Sequence, residues 1–163
     1  MKKLLFMETT GIEASRTAGE ITSLLVQAGA VHIAQEYGDD KEISGLRFSL
    51  KVRDKFWMIA LPARVDPIFK IINGRRKYSY DRTQKADQDR QQAKRVAWRQ
   101  LLRWCEAQLA MVDAGMVEAG EVFLSYAQDK NGVSFFERAI TDTSRLIETS
   151  KEEGSVVDAQ FVE

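Results

Sequence analysis

The clearest sign of chemistry in this chain of 163 residues is a run of evenly spaced cations in its middle. Gln91 is followed at steps of four by three arginines, and a helix places residues with this spacing in one ridge. A guanidinium group can hold two phosphate oxygens at once, so such a ridge can follow a sugar-phosphate backbone. The arginine ridge consists of Arg95, Arg99 and Arg103, and Arg90 and Lys94 flank it.

A second basic cluster precedes the ridge. Arg75, Arg76 and Lys77 are followed by Tyr78 and Tyr80, with no apolar period, so we predict a polar loop. Its aromatic rings could stack on bases while its cations meet phosphates. The predicted nucleic-acid contacts are Arg75, Arg76, Lys77, Tyr78, Arg90, Lys94, Arg95, Arg99 and Arg103.

The charges are balanced overall but are unevenly distributed. The chain has 24 basic and 24 acidic residues, so its net charge of zero argues against a histone-like polycation or a polyanion mimic. Residues 62–104 carry a net charge of +8, whereas residues 105–163 carry −8. Two interpretations stay open: the basic part binds an external polyanion, or it pairs within the fold with acids such as Glu118, Glu121 and Glu137. Asp89 is the only carboxylate in residues 88–105, which predicts a ridge with few partners on its own helix.

Catalytic motifs are absent from the sequence. The single histidine, His32, is flanked by apolar residues of a predicted strand, so we interpret it as structural. The single cysteine, Cys105, lies in a predicted helix and fits a packing role. One histidine and one cysteine cannot form a structural zinc site, and no glycine-rich phosphate loop occurs. We therefore predict a protein that is not an enzyme and needs no metal or cofactor.

The elements that position these residues predict an α+β domain. A short antiparallel sheet of three to four strands is packed by an N-terminal helix and a long helix, and short C-terminal helices follow. Alternation between 46 and 53 predicts one core face and one wet, positive face, while the third strand has apolar residues on both faces and should be covered on both. The predicted strands are Met1–Met7, Val31–Tyr37, Ile43–Arg53 and Lys55–Pro62.

The helices are predicted from apolar spacing and from capping residues. Asp66-Pro67 is typical of a helix start, and Ser134 with Glu137 forms a capping-box pattern. The predicted helices are Glu13–Ala28, a short one from Asp66 to Gly74, a long one over Lys85–Asp113, Val117–Ala127, and a last short one after Ser134. We predict one domain over residues 1–147 and an acidic, disordered tail over 148–163, which is also a candidate docking motif or competitor for a basic groove.

Part of the sequence resembles a known group of proteins. The run Gln92–Trp104 (QAKRVAWRQLLRW), its continuation through residues 106–109 and 122–124, the opening Phe6–Thr10 and Leu61-Pro62 are similar to small bacteriophage and prophage proteins of uncharacterised function. The resemblance covers most of residues 1–127. It implies a phage-encoded protein of the host cytoplasm, from a replication or recombination neighbourhood, and it supplies no catalytic residues.

These observations lead to two expected functions. The first is a non-catalytic, phage-encoded nucleic-acid-binding protein that contacts phosphates, on DNA rather than RNA, with its ridge and loop. The alternative is a protein–protein interaction module that inhibits or recruits a host or phage protein. The longest apolar stretches are too short to cross a bilayer, so we expect no membrane contact and a cytoplasmic location.

Overall fold

The computed structural model describes residues 4–75 and 82–142 and shows the predicted α+β fold. The predictions for the tail, for Met1–Lys3 and for residues 76–81 concern residues outside these ranges. The elements are, in chain order, α1 (Ala14–Gln27), β1 (Val31–Tyr37), β2 (Ile43–Val52), β3 (Lys55–Pro62), α2 (Val65–Gly74), α3 (Arg82–Asp113), α4 (Ala119–Phe123), a 3₁₀ helix (Leu124–Tyr126), β4 (Ala127–Gln128) and α5 (Phe135–Thr141).

The four strands form one antiparallel sheet in the order β1-β2-β3-β4. Phe48 lies opposite Ile59, and both are fully buried on the face that carries the core. Lys51 lies opposite Phe56 on the other face, where both are exposed. This second face is the open face of the sheet; Arg47 and Lys51 of β2 are exposed on it as predicted, but Ser49 between them is buried and Arg47 pairs with Glu36.

The core lies between the sheet and the two main helices. Ile21 and Leu25 of α1 and Trp98 of α3 are fully buried against the core face, because each helix presents an apolar stripe at three- and four-residue spacing. Phe123 of α4 completes the core, and its ring meets that of Phe48 edge to face at 5.5 Å. α3 thus has one face in the core and its other faces available for polar contacts.

Three predictions about local structure are wrong. Residues 5–8 form a turn rather than a strand, and Leu5 N–H donates to the Glu8 carboxylate. The region 117–127 is divided among α4, a 3₁₀ helix and β4, because the chain must bend to bring Ala127 beside Ile59. β3 is covered on one face only, and Phe56 keeps 64% of its surface exposed.

Helix boundaries follow the predicted signals closely. α2 begins at Val65, so Asp66 and Pro67 lie in its first turn rather than at its cap. The capping box before α5 is present: the Ser134 hydroxyl accepts from Glu137 N–H, and the Glu137 carboxylate accepts from Ser134 N–H. Yet α5 contains no buried residue.

Candidate interaction surface

The arginine ridge is already paired with acids of the same chain. Arg95 Nη2 lies 2.6 Å from Glu13 Oε1, and Arg103 Nη1 lies 2.6 Å from Glu106 Oε2. Among these pairs only Glu106 lies on the same helix, as the sequence predicted, but acids of other elements pair with Arg95 and Arg99, so the ridge is not left without counter-charges. Glu106 is only one turn away on α3, while Glu13 lies just before α1, 82 residues away in sequence.

Arg99 is the most enclosed member of the ridge. Its side chain is 7% exposed, and its Nη1 donates to Glu20 of α1 across 2.6 Å. A phosphate could reach this guanidinium only by displacing Glu20 and part of the α1–α3 contact. The ridge thus contributes to the packing of α3 on α1.

Lys94, which flanks the ridge, holds the loop between β1 and β2. Its Nζ lies 2.8 Å from both Asp40 and Glu42, and the side chain is 9% exposed. The hydrogen bond from Lys94 is the main cause that lowers the pKa of each of these carboxyls. The Lys94 ammonium is therefore neutralised by two carboxylates of the same chain.

The remaining predicted cations within the described residues also have carboxylate partners. Arg90 Nη2 lies 3.1 Å from Asp66, and its guanidinium lies over the Phe69 ring at 5.1 Å. Arg75 Nη1 lies 2.7 Å from both Glu8 carboxylate oxygens. The Leu5 N–H and then Arg75 lower the pKa of Glu8. Arg76, Lys77 and Tyr78 lie outside the described residues.

The alternative acidic partners named from the sequence are not those of the ridge. Glu118 pairs with Arg53 at the turn between β2 and β3, at 3.3 Å. The carboxylates of Glu121 and Glu137 accept backbone N–H groups in the capping boxes of α4 and α5. Most of the real partners come from the first half of the chain, because α1 and the β1–β2 loop lie beside α3.

A surface that the sequence analysis did not identify lies at the outer edge of β3. β4 pairs with β3 only at Met58 and Ile59, so the edge beside Lys55–Trp57 has no strand next to it in the described chain. A cleft of about 490 Å³ lies on the core side of this edge and one of about 420 Å³ on the open side. We call the two clefts together the edge groove, which is lined by Val52, Phe56, Trp57, Met58, Leu124 and Phe135.

The groove continues onto α5 as apolar surface. Phe135, Phe136 and Ile140 are 49%, 50% and 56% exposed. Soluble proteins seldom leave large apolar side chains clustered in water unless that surface binds something. The sequence signal was present in the two apolar faces of β3 and the Phe135-Phe136 pair, but burial by other elements explained the same pattern equally well.

Neither His32 nor Cys105 lines the edge groove. His32 is exposed where β1 is irregular, with φ of 52°, so it is not a buried structural histidine. Cys105 is buried, and burial raises the pKa of its thiol to about 12. Among residues 4–75 and 82–142, no group of three or more His, Cys, Asp or Glu side chains is placed to hold a metal ion.

Comparison of the chain with protein-family models, with curated proteins and with solved structures found no match. None of the helices in the described ranges is long and apolar enough to cross a membrane. The geometry of the groove and the charges around it are therefore the features that bear on function.

Proposed function

We propose that this protein is a non-catalytic interaction module that binds another protein through the edge groove. The observation that carries the proposal is the contrast between two surfaces. The ridge cations have partners within the chain, whereas Phe56 and Phe135 lie exposed beside clefts large enough for side chains. Apolar and aromatic side chains in a concave, dry contact supply most of the energy of protein association.

The proposed partner is a host or phage protein, in keeping with the resemblance of the sequence to small phage and prophage proteins. A free sheet edge provides backbone N–H and C=O groups for an added strand, and pockets on either side provide selectivity. An interaction module of this kind needs no catalytic group, since it inhibits or recruits by occupying a surface.

Nucleic-acid binding is a second candidate, and one observation favours it on the sheet rather than on the ridge. Lys51 and Lys55 have no ion pair within the described residues; Lys51 lies opposite the exposed Phe56 on the open face, and Lys55 lies next to Phe56 in sequence, on the other face of β3. Lysines beside an exposed aromatic ring can bind a single strand by charge and stacking.

Capture from a bacterial lysate tests the first candidate. The bait is the full chain, compared with a Phe56→Thr, Phe135→Asp double variant whose substitutions suit an exposed strand and a first helical turn. Met116→Thr, at another exposed apolar residue, is the matched control. We expect a partner that the wild type and Met116→Thr retain and the double variant loses, at unchanged melting temperature.

A salt titration with labelled DNA and RNA separates the two candidates. If the protein binds phosphates, the logarithm of its affinity falls linearly with the logarithm of the salt concentration. The slope is about −0.9 per phosphate contact on duplex and about −0.7 on single strands. Salt-dependent binding that Lys51→Gln and Lys55→Gln abolish, without any groove-dependent protein partner, would reject the interaction module in favour of the nucleic-acid candidate.

A further inference from the structure

The unpaired edge of β3 is in a conformation that can accept a strand. Val52 and Lys55 close the two-residue turn between β2 and β3, so alternate residues of β3 direct their N–H and C=O groups away from β2. Met58 is one of these residues and has Gln128 of β4 opposite it. Phe56, two residues earlier, also directs its N–H and C=O groups away from β2. β4 does not extend as far as Phe56, so these groups have no strand beside them in the described chain.

The two clefts lie where the side chains of an added strand would point. Successive side chains of an extended peptide project to opposite faces of a sheet. On the core side, Val52 and Gly120 line the cleft of about 490 Å³. On the open side, Phe56 and Phe135 line the cleft of about 420 Å³. Trp57 and Leu124 line both. The groove therefore fits a short extended peptide with apolar residues at alternate positions on each side.

We propose that residues 156–162 of this same chain, VVDAQFV, bind in the edge groove. In an extended peptide Val157, Ala159 and Phe161 project to one side, and Val156 and Val162 project to the other. The segment thus offers apolar side chains to both clefts. β-branched and aromatic residues, which suit a sheet edge, make up most of it.

The position at which the described chain ends favours this occupant. The described part ends at Asp142, which lines a cleft together with Val133 and Phe135 beside the groove. The 13 residues from 143 to 155 span at most about 43–47 Å when extended, which suffices to return along β3.

This inference rests on the proposed function, because it names an occupant for the same groove. A segment attached to the domain competes at a high effective concentration, on the order of millimolar for a short linker. A partner protein would then have to displace residues 156–162. A partner therefore binds the groove only if its affinity or its local concentration is high enough to compete with the segment.

Backbone hydrogen exchange in the full chain tests the inference. We compare exchange of the Phe56 amide in the wild type and in a Val157→Asp, Phe161→Asp variant, with Glu152→Gln, Glu153→Gln as the control for charge alone. We expect exchange about tenfold faster in the apolar variant and nearly unchanged in the control. A labelled peptide of residues 154–163 should bind more tightly to the apolar variant than to the wild type, whose groove is occupied.

Three results would overturn the inference. Equal exchange in all chains together with no peptide binding would show that the segment does not enter the groove. Protection that appears only as the protein concentration rises, with a dimeric mass, would assign the groove to a second copy. Peptide binding that survives Phe56→Thr, Phe135→Asp would place the segment elsewhere. Each of these can occur while groove-dependent capture of a partner persists, so failure here is distinguishable from failure of the proposed function.

Discussion

The guanidinium of Arg99 and the carboxylate of Glu20 join α3 to α1 across 2.6 Å, although the two residues are 79 positions apart in sequence. Arg99 is nearly excluded from solvent, so its charge depends on this one carboxylate. Arg103 and Glu106 make a contact of the same length within α3, but both side chains are well exposed. The two pairs therefore compare an enclosed guanidinium with a solvated one, on carboxylates of similar exposure.

Removing the carboxylate should cost stability only at the enclosed pair. Glu20→Gln is expected to lower the free energy of unfolding by about 1–3 kcal/mol, because it leaves the Arg99 charge without a counter-charge. Glu106→Gln should change it by no more than about 0.5 kcal/mol, since water solvates Arg103. Urea denaturation of both variants measures the difference. Equal losses would mean that solvent reaches Arg99 more freely than its burial indicates.

Acid should weaken the anchor that Lys94 provides. Asp40 and Glu42 have pKa values below their ordinary 3.8 and 4.5, with the hydrogen bond from Lys94 as the main cause in each. Their contribution to stability is complete above those ordinary values and is lost as pH falls through the lower folded values, because the unfolded chain then binds more protons. Urea unfolding from neutral pH to below pH 4 measures this loss.

Lys94→Met should flatten that acid dependence, since both carboxyls lose the cation that lowers their pKa values. Lys70→Met is the control, because Lys70 is exposed on α2 and contacts neither carboxyl. An acid profile unchanged by Lys94→Met would show that other groups hold these pKa values down.

Gly120 should be required for α4 to approach the sheet. A Cβ at this position would lie 2.6 Å from Val52 Cγ1 and 3.6 Å from the Trp57 ring. Gly120→Ala is therefore expected to destabilise the protein by about 1–3 kcal/mol through overpacking. Gly19→Ala, in the exposed middle of α1 with open space around it, should stabilise by about 0.5–1 kcal/mol. Thermal unfolding of the two variants should shift in opposite directions; a shift in the same direction would contradict the packing argument.

Cys105 should be unreactive until the protein unfolds. Burial, and to a smaller extent the charge of Glu106, raises the pKa of its thiol to about 12, so the thiolate is scarce at pH 8. A thiol reagent should label the native protein far more slowly than the urea-unfolded chain, whose cysteine has an ordinary pKa near 8.5. Labelling of the native chain at the unfolded rate would mean that the helix–sheet interface opens readily.

The fold could be predicted where one residue pattern has one physical explanation. The alternation through Leu46, Phe48 and Leu50 fits a half-buried strand, and Ser134 with Glu137 fits a helix start. The prediction of one helix over 117–127 was wrong because the apolar residues of this region belong to three short elements in succession. Their bounds depend on contacts with β3 and α3, which local spacing does not record.

The site was harder to predict because its charges pair over long distances in sequence. Arg95 and Glu13 are 82 residues apart, and only the packing of α3 beside α1 brings them together. The sequence therefore showed that the cations form a ridge, but it could not show which acids they pair with. The exposed edge of β3 was concealed for the opposite reason, since apolar residues on both faces of a strand usually mean burial.

The acids that neutralise α3 have a consequence for the order in which the chain is made. Five of the acids that pair with α3 precede it in sequence: Glu13, Glu20, Asp40, Glu42 and Asp66. Synthesis proceeds from the N-terminus, so these carboxylates leave the ribosome before the cations that bind them. The growing polypeptide thus has counter-ions of its own ready for α3, next to a ribosomal surface rich in RNA phosphate.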